Sequence, residues 1–323
     1  MNRFLLSFFT TWRDRGFSIA VGATLHHMRA MISKYIFKRR YIEKKVHSYK
    51  MLLDLEDLGL SRSLLLFGKR EIDHQILLAK IVEPCMTIYD IGSNIGYYPL
   101  MELELLGPKG RLIAIEPSPK NVELLRRNLS LNGYGEEIPI ISGAVSDTPA
   151  SRAFHLSPHS NLGTFHPEGS AQGVISGHTI EVRTYTVPQL AALHGSPDLI
   201  RMDVEGHEVE VLNGLLEAVE DDLMRPQIIF ETHLTRYTPE HDMEKTLNAL
   251  FDLGYEVPFA ATSWQGGTKI VKNAGYDGGQ IVKTDGVERM IVSNIERHDA
   301  IDLICRKGGL RTVVLRPQIS TDK

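Results

Sequence analysis

The rhythm of apolar and polar positions along the chain changes near residue 84. Before that point apolar residues recur every three or four positions, which is the period of a helix with one apolar face. In the last such helix this stripe consists of Ile72, Ile76, Ala79 and Val82. Pro84 ends the helix, because proline lacks the backbone N–H and does not fit inside a helix.

Short apolar runs and amphipathic segments alternate after Pro84, joined by turns. The predicted strands are Thr87–Ile91, Arg111–Ile115, Ile138–Ile141, Asp198–Met202, Gln227–Phe230 and Arg311–Leu315. The predicted helices are Tyr97–Leu106, Asn121–Leu131, Glu208–Val219 and Met243–Leu253. Residues 255–316 are expected to add further strands and a glycine-rich loop at 266–279. This alternation predicts an α/β fold with a parallel sheet and right-handed crossovers.

Residues 147–185 interrupt the alternation. They contain clusters of proline, glycine, serine and histidine, followed by the alternating segment Thr179–Thr186. We predict an insertion of loops and hairpin strands over the sheet. Within it, the polar segment His155–His166 is either a lid over an acceptor site or a surface loop, and we favour the lid because long insertions are often functional.

Residues 1–67 are predicted to form a basic helical extension of a domain that spans 68–323. Residues 1–50 contain eleven Lys or Arg and two Asp or Glu, although the whole chain has a net charge of −4. Near the start, one helical face is formed by Phe4, Leu5, Phe8, Phe9 and Trp12. An apolar face with nearby basic residues is typical of a helix that lies on a membrane surface. The interpretation that we favour is that this face packs on the body of the protein, because surface helices with one apolar face are common.

Composition narrows the class of protein. Charged residues make up 24% and hydrophobic residues 42%, which excludes a wholly disordered, collagen-like or coiled-coil chain. No apolar stretch has the length of a membrane-spanning helix or the form of a secretory signal. Two cysteines exclude a disulfide framework. We therefore expect a cytoplasmic protein, with peripheral contact at the inner membrane face as an option; the acidic remainder of the chain argues against a nucleic-acid partner.

A glycine-containing turn follows the first predicted strand, at Asp90–Gly96. Gly92 and Gly96 permit close approach of the backbone to a ligand, and the turn opens a helix whose free N–H groups point outward. Glu116 ends the next strand, 24 positions after Gly92. A carboxylate in that place accepts hydrogen bonds from both hydroxyls of a ribose. The combination predicts a nucleoside ligand, which both dehydrogenases and methyltransferases use.

Several segments resemble the FkbM-type methyltransferases, in the right order over roughly residues 68–260. Asp90–Gly96 is similar to the D-x-G-x-N-x-G variant of methyltransferase motif I. The other similar segments are Glu116–Pro119, Leu131–Asn132, Asp203–Glu208, Val211–Gly214 and Glu231–His233. The resemblance implies a class I, Rossmann-like fold of seven strands with the last one antiparallel, binding S-adenosylmethionine. It also implies O-methylation of a hydroxyl on a sugar, glycoconjugate or polyketide-type metabolite.

The resemblance assigns the cofactor contacts position by position. The methionine part is expected to lie against Asp90, Gly92, Asn94 and Gly96. Glu116 is expected to hold the ribose, with help from Ser118. Ala144 and Val145, after the third strand, are expected beside the adenine.

Four candidate catalytic residues end two successive strands: Asp203, Glu205, Glu231 and His233. Ligands of an open α/β sheet bind beyond the carboxyl ends of its strands, so these side chains are expected near the reacting atoms. Methyl transfer to oxygen benefits from a base that takes the hydroxyl proton. His233 suits this role by its ordinary pKa, and Glu205 and Asp203 are rivals that otherwise orient the acceptor. Carboxylates also bind divalent cations, but no ligand spacing requires a metal, and we do not favour one.

Three other functions remain open on the sequence alone. A nucleotide-dependent oxidoreductase uses the same type of sheet, but the D-x-G-x-N-x-G turn is not a dehydrogenase feature. A methyltransferase acting on RNA or protein is a second alternative, and the basic extension gives an RNA substrate slight support. A non-catalytic module that keeps the cofactor fold is the third, because fold alone does not establish activity.

Overall fold

The computed structural model of the chain describes residues 3–167 and 177–318. Its α-helices are α1 (Arg3–Arg15), α2 (Phe17–Met31), α3 (Leu60–Phe67), α4 (Ile72–Ile81), α5 (Tyr97–Leu106), α6 (Pro119–Leu131), α7 (Val187–His194), α8 (Glu208–Glu220), α9 (Met243–Asp252), α10 (Gln265–Asn273) and α11 (Arg297–Ile301). Its strands are β1 (Tyr41–Val46), β2 (Tyr49–Asp54), β3 (Thr87–Ile91), β4 (Arg111–Glu116), β5 (Ile140–Ser142), β6 (Ala144–Val145), β7 (Ser151–His155), β8 (Thr179–Tyr185), β9 (Leu199–Met202), β10 (Gln227–Glu231), β11 (Tyr255–Thr262), β12 (Gln280–Thr284), β13 (Val287–Ile295) and β14 (Leu310–Pro317). Short π-helical turns at Ile32–Ile36 and Asp302–Arg306 and a 3-10 turn at Leu234–Arg236 complete the secondary structure of the described residues.

The central sheet has the strand order β12-β13-β11-β14-β10-β9-β3-β4-β5. From β5 to β11 it contains seven strands, of which only β14, the last in the chain, runs antiparallel. The predicted α/β class I architecture is therefore confirmed. The sheet exceeds the predicted seven strands, because the hairpin β12–β13 pairs through β13 with the edge of β11. An exposed edge strand readily accepts such a partner.

Two apolar cores cover the two faces of this sheet. One includes α7, α8 and α9 and contains Leu212, Leu215 and Leu247. The other includes α4, α5, α6 and the β1–β2 hairpin and contains Leu77, Leu100 and Leu125. Because both faces are buried, the central strands are continuously apolar.

Helix α4 buries a different face from the apolar stripe that its sequence predicts. Ala79 is exposed, and Ile72 and Ile76 are half-buried. The buried residues are Asp73, His74, Leu77, Leu78 and Ile81. Asp73 is tolerated in the core because Arg289 of β13 donates a hydrogen bond to it at 2.8 Å. This buried ion pair between two elements explains why α4 buries a face that the local sequence pattern does not predict.

The predicted helical extension contains a β-hairpin, β1–β2, in its second half. The hairpin is attached to α6 by polar contacts: Leu52 N–H donates to Asn128 Oδ1 at 2.7 Å, and Lys50 N–H donates to Asn132 Oδ1 at 2.9 Å. Side chains of the hairpin also belong to the core on that face of the sheet. Among the described residues, no helix has the length and apolar character needed to cross a membrane.

The insertion forms a small sheet of its own, with the order β6-β8-β7. The predicted hairpin strands are thus present: β7 and β8 pair antiparallel. The part of the insertion at 168–176 lies outside the described residues. The predicted glycine-rich loop at 266–279 contains a helix instead, α10, because Gly267 lets the helix pack closely on Gly309: a Cβ on Gly267 would lie 2.6 Å from the Gly309 oxygen.

Candidate functional site

One pocket opens at the carboxyl ends of β3, β4 and β9, with about 1400 Å³ of empty space including its open mouth. Its walls come from three parts of the chain: the strand ends of the central sheet, the extension and the insertion. The residues from the strand ends include Gly92, Asn94, Glu116, Ser118, Ala144, Val145, Arg201, Asp203, Glu205 and His207. Those from the extension and insertion include Tyr41, Asp57, Phe154, His159, Ser160 and Asn161. The position agrees with the rule that ligands of an open α/β sheet bind beyond its strand ends.

Gly92 occupies a point where two strand ends touch. Its φ is +82°, and a Cβ there would lie 2.2 Å from the backbone oxygen of Asp203. Only glycine fits this conformation and contact without a backbone shift. Gly96, also at positive φ, lies behind the pocket wall, where a Cβ would lie 2.9 Å from Leu125 of α6. Of the two glycines, Gly92 and not Gly96 borders the pocket among the described residues.

Asp90 is likewise not on the pocket surface that the described residues form; it is fully buried behind it. Arg201 Nη1 donates to Asp90 at 3.1 Å and to the Gly92 oxygen at 3.2 Å, and its Nη2 donates to Asp203 at 3.3 Å. The guanidinium also lies over the Tyr98 ring, 3.9 Å from its centre. Arg201 therefore ties the glycine turn to the end of β9. Sequence reasoning missed it, although an arginine inside the apolar strand Leu199–Met202 was a visible signal.

Glu116 faces the pocket, and backbone and side-chain donors orient it. Its carboxylate accepts from the N–H of Asn94 at 2.8 Å, from the N–H of Ser118 at 2.9 Å and from Asn121 Nδ2 at 3.1 Å. Burial raises the pKa of Glu116 to about 7, against these donors, which lower it. Ser118 precedes α6, with Pro119 at its first position, as predicted. Asn121 joins the site one helical turn later and was not predicted.

The segment His155–His166 lies against the glycine turn through Ser160. The Ser160 oxygen accepts from Asn94 Nδ2 at 2.9 Å and from Asn121 Nδ2 at 3.0 Å. Ser160 N–H and Oγ each donate to Asp57 of the extension at 2.8 Å. Asp57 thus connects the extension to the insertion over the strand ends. The segment forms a wall of the pocket, as the lid prediction requires.

Asp203 and Glu205 both line the pocket. Glu205 has φ +51°, a left-handed conformation that is rare and strained for a residue other than glycine. Thr164 Oγ1 donates to its backbone oxygen at 3.0 Å. Burial and the nearby Asp203 raise the pKa of the Glu205 carboxyl. Strain and a perturbed pKa on one residue in a pocket are typical of a functional site.

His233 lies behind Glu205, outside the set of described pocket residues. Its Nδ1 is 2.9 Å from Glu208 Oε1, and its Nε2 is 3.6 Å from Glu205 Oε2. Burial alone would lower the pKa of His233, but Glu208 and Glu205 raise it well above its usual value. His233 thus lies between two acidic side chains, Glu208 and Glu205. Its role as the base stays a prediction.

Glu231 is also separated from the pocket surface. Its carboxylate accepts from Arg311 Nη2 at 2.8 Å, and the same nitrogen donates to Glu71 at 2.7 Å. Burial raises the pKa of Glu231 to about 7, opposed by the positive charge of Arg311. Tyr98 donates to Glu71 at 2.5 Å and so links this network to Arg201. Glu231 is thus not among the described residues that line the pocket, and its catalytic role stays a prediction.

The structure brings together a set of possible ligands for a divalent metal that differs from the carboxylates that the sequence suggests. The structure groups Asp203 and Glu205 with His233, and one ligand atom of each lies within 4.8 Å of the others. Glu231 does not belong to this group, because it is paired with Arg311.

Comparison with known proteins agrees with the geometry. The description "Methyltransferase FkbM domain" matches residues 90–257. The hexuronic acid methyltransferase AglP of Haloferax volcanii is 33% identical over 147 residues, which cover 45% of this chain and 56% of the relative. A protein-L-isoaspartate O-methyltransferase of Methanococcoides burtonii is 44% identical over 57 residues, 18% of this chain and 28% of that protein. The alignments therefore span about half of the first relative and about a quarter of the second.

Solved structures of methyltransferases are similar at low sequence identity. A methyltransferase FkbM from Methylobacillus flagellatus matches with a TM-score of 0.40 and 13% identity over 87% of this chain and 60% of that one. TYW2 of M. jannaschii, solved with AdoMet, matches with a TM-score of 0.40 and 13% identity over 87% and 88%. The family match covers more than half of the chain and contains the glycine turn, Glu116, Asp203 and Glu205. This chain belongs to the FkbM methyltransferase family.

Proposed function

We propose that the chain is an S-adenosylmethionine-dependent O-methyltransferase that acts on a hydroxyl of a sugar or glycoconjugate. One observation carries the proposal: the buried acid Glu116 and the strained acid Glu205 face the same pocket, across the glycine turn. Glu116 suits a ribose, and Glu205 suits an acceptor hydroxyl. A binding module without turnover would not require the second acid.

The residues around the pocket fit the three parts of the cofactor. Ala144 and Val145, together with Ile115, provide apolar contacts for an adenine. Glu116, held by the N–H groups of Asn94 and Ser118, presents an acceptor for ribose hydroxyls. The methionine part then lies toward Gly92 and Asp203. Asp90 and Gly96, which do not line the pocket, support the turn.

The reaction requires a polarised hydroxyl and an electrophilic methyl group. When bound, S-adenosylmethionine would supply a methyl carbon activated by its positive sulfur: the carbon–oxygen bond would form as the carbon–sulfur bond breaks, and S-adenosylhomocysteine would leave. Glu205, in its ionised form, takes the hydroxyl proton, because it lines the pocket near Asp203 and its raised pKa makes it a stronger base. Glu208 holds His233, and His233 stabilises the ionised form of Glu205 from behind. Asp203, held by Arg201, orients the acceptor, and this alignment contributes much of the rate.

A sugar is the acceptor class that the observations favour. The relative from Haloferax volcanii carries the name hexuronic acid methyltransferase. The outer walls of the pocket present polar groups that suit a molecule rich in hydroxyls: Tyr41, Ser157, His159 and Asn161. Hydroxyl-rich ligands need such paired donors and acceptors, because an unpaired polar group costs binding free energy.

The cofactor assignment is tested by calorimetric titration of S-adenosylmethionine into the wild type, Glu116→Gln and Glu123→Gln. Glu123 lies on α6 with an exposed side chain and is the matched control. We expect Glu116→Gln to weaken binding by about 10- to 100-fold, since a hydrogen bond to a charged acceptor contributes about 1.5–3 kcal/mol. Absence of binding by a folded wild type contradicts the proposal. Binding of NADH instead would restore the oxidoreductase alternative.

The pH dependence of this binding has a defined sign. The pKa of Glu116 is about 7 in the folded protein. We expect the affinity for S-adenosylmethionine to rise from pH 6 to pH 8, because ionised Glu116 is the stronger acceptor. Without the ligand, the raised pKa makes stability fall as the pH rises from about 4.5 to about 7, because the folded state binds the extra proton. Glu116→Gln should remove the contribution of Glu116 and make both slopes smaller, and slopes equal to those of the wild type contradict the assignment.

The extension carries an exposed apolar surface, which we propose contacts an anionic membrane on its cytosolic side. Large apolar side chains are exposed on α1, on α2, in the following π-helical turn and at Phe37 just after it: Phe9, Trp12, Phe17, Ile19, Val21, Leu25, Met28, Met31, Ile32, Tyr35, Ile36 and Phe37. The side chains of residues 3–7 lie outside the described part of the chain. Phe9 is 50% and Trp12 45% exposed, so this face is not packed on the body. Four basic residues lie in or beside the π-helical turn: Lys34, Lys38, Arg39 and Arg40. Contiguous apolar surface beside positive charge fits an anionic bilayer surface.

Sedimentation with phosphatidylserine vesicles tests this contact. We expect the double variant Ile36→Ser/Phe37→Ser to reduce the bound fraction by at least about 10-fold, since each exposed side chain that enters the bilayer contributes about 1.5–3 kcal/mol. Leu223→Ser is the control, because Leu223 is 68% exposed but lies far along the chain, after α8. Equal binding by the two variants, or no binding by the wild type, contradicts the proposal.

A further inference from the structure

A second cluster of titratable side chains lies beside the pocket. It shares His207 with the pocket lining. It joins His166 of the insertion, His207 and Glu210 at the start of α8, and His241 before α9. His207 Nδ1 is 2.9 Å from His166 Nε2 and 3.3 Å from Glu210 Oε2. His166 Nε2 is 3.9 Å from the same oxygen, and His241 Nδ1 is bonded to Glu210 Oε1. Three imidazoles and one carboxylate therefore converge on one small space.

Hydrogen bonds within the cluster do not satisfy it. Glu210 is only 8% exposed, and its Oε2 accepts no hydrogen bond from the described residues. Buried carboxylate oxygens normally have a partner, so an orphan of this kind needs an explanation. His207 Nδ1 and His166 Nε2 lie 3.3 and 3.9 Å from this oxygen without a hydrogen bond to it. A cation between these atoms would give the oxygen a partner.

We propose that His166, His207, Glu210 and His241 bind a zinc ion. Zinc takes four nitrogen, sulfur or oxygen ligands in a tetrahedron, and a Zn–N distance near 2.1 Å places the ligand atoms about 3.4 Å apart. The three distances among His166 Nε2, His207 Nδ1 and Glu210 Oε2 are 2.9, 3.3 and 3.9 Å, and they lie on both sides of that value. Nitrogen ligands favour zinc over magnesium or calcium, which prefer oxygen.

The surroundings fix the ligands as a zinc site requires. His207 Nε2 is 3.0 Å from Ser146 Oγ, which holds the ring and leaves Nδ1 to face the cluster. Such outer hydrogen bonds select the ligating nitrogen of a histidine. Arg236 Nη1 donates to the backbone oxygen of His166 at 3.0 Å and holds that loop in place.

The ion would join three separate parts of the chain. His166 belongs to the insertion, Glu210 to α8 and His241 to the loop before α9. His207 and Phe165, which precedes His166, line the pocket, and Thr164 donates to the backbone of Glu205. Zinc at this point therefore holds one wall of the pocket against the strand ends. The proposal rests on the four ligands and not on the proposed reaction.

Metal titration of the full chain, stripped with a chelator, tests the site. Co²⁺ replaces zinc and produces a visible absorption band whose strength reports tetrahedral nitrogen and oxygen ligands. We expect one Co²⁺ per chain, displaced by Zn²⁺ and not by Mg²⁺. His241→Gln and Glu210→Gln are expected to weaken zinc binding by about 100-fold or more, since even outer-sphere changes cost 10- to 100-fold. His298→Gln is the matched control, because His298 is an exposed residue of α11. This variant should bind zinc as the wild type does.

Two further measurements separate the outcomes. Zinc should raise the Tm of the wild type and of His298→Gln but not of His241→Gln, and circular dichroism of the metal-free variants shows whether each one folds. His233→Gln removes the imidazole of the other cluster, near Asp203 and Glu205. A cobalt band that survives in His241→Gln and disappears in His233→Gln assigns the metal to that cluster and overturns the proposal. Absence of binding by the folded wild type overturns it as well.

Discussion

Replacing Glu205 by glutamine is expected to lower kcat for methyl transfer by about 10²- to 10⁴-fold, the usual contribution of a positioned base. Glutamine has nearly the same shape but does not take the hydroxyl proton. The KM for S-adenosylmethionine should change little, because Glu116 and the glycine turn are intact. The measurement is transfer of a labelled methyl group from S-adenosylmethionine to a hexuronic acid or its glycosides, at saturating concentrations of both.

Glu217→Gln is the control for Glu205→Gln, because Glu217 is exposed on the outer side of α8. His233→Gln should lower kcat less than Glu205→Gln, since His233 supports Glu205 from behind at 3.6 Å. Asp203→Asn should raise the KM of the acceptor more than it lowers kcat, as expected for an orienting group. If Glu205→Gln has a normal kcat and Asp203→Asn is inactive, the base is Asp203 and not Glu205.

The second large effect is expected at Arg201. Arg201→Met should lower the free energy of unfolding by about 3–5 kcal/mol, the usual cost of removing one member of a buried ion pair. Arg201 is 2% exposed, and Asp90 is fully buried beside it. Asp90 Oδ2 has no hydrogen-bond partner among the described residues, so the loss of Arg201 leaves a buried carboxylate without its ion-pair partner. Urea unfolding followed by circular dichroism measures the change.

Two variants sharpen this measurement. Arg297→Met removes an arginine from an exposed pair with Asp252 and should cost about 1 kcal/mol or less. The double variant Arg201→Met/Asp90→Asn should recover part of the stability, because the unpaired charge is gone. A cost for Arg201→Met as small as that for Arg297→Met would contradict the role of Arg201 as the tie between the two strand ends.

Local sequence patterns predict the parts of the fold in which neighbours along the chain interact. The strand, turn and helix around Gly92 are recognisable because the positive φ and the following helix start are both local requirements. Glu116 and Ser118 are recognisable for the same reason, since an acid and a helix start follow one strand. The order of the family motifs then predicts the sheet, the pocket edge and the class of reaction.

Residues whose partners lie far along the chain are not predictable in this way. The buried face of α4 depends on Arg289, which lies more than 200 positions after Asp73. The sequence offers His233 as a base, and only the tertiary structure shows that it lies between Glu208 and Glu205, which raise its pKa. The hairpin β12–β13 joins the sheet through an edge, which no local pattern identifies.

The sequence by itself determined the α/β class, the glycine turn, the place of Glu116 at the end of its strand and the family, because these depend on periodicity and on residues close together in the chain. The tertiary structure decided which acids line the pocket, which residues lie behind the turn, and which histidines converge with Glu210. The physical reason is that burial, charge pairing and ligand geometry arise between distant segments. Arg201 illustrates this: a single arginine in an apolar strand acquires its role only when β3 and β9 lie side by side.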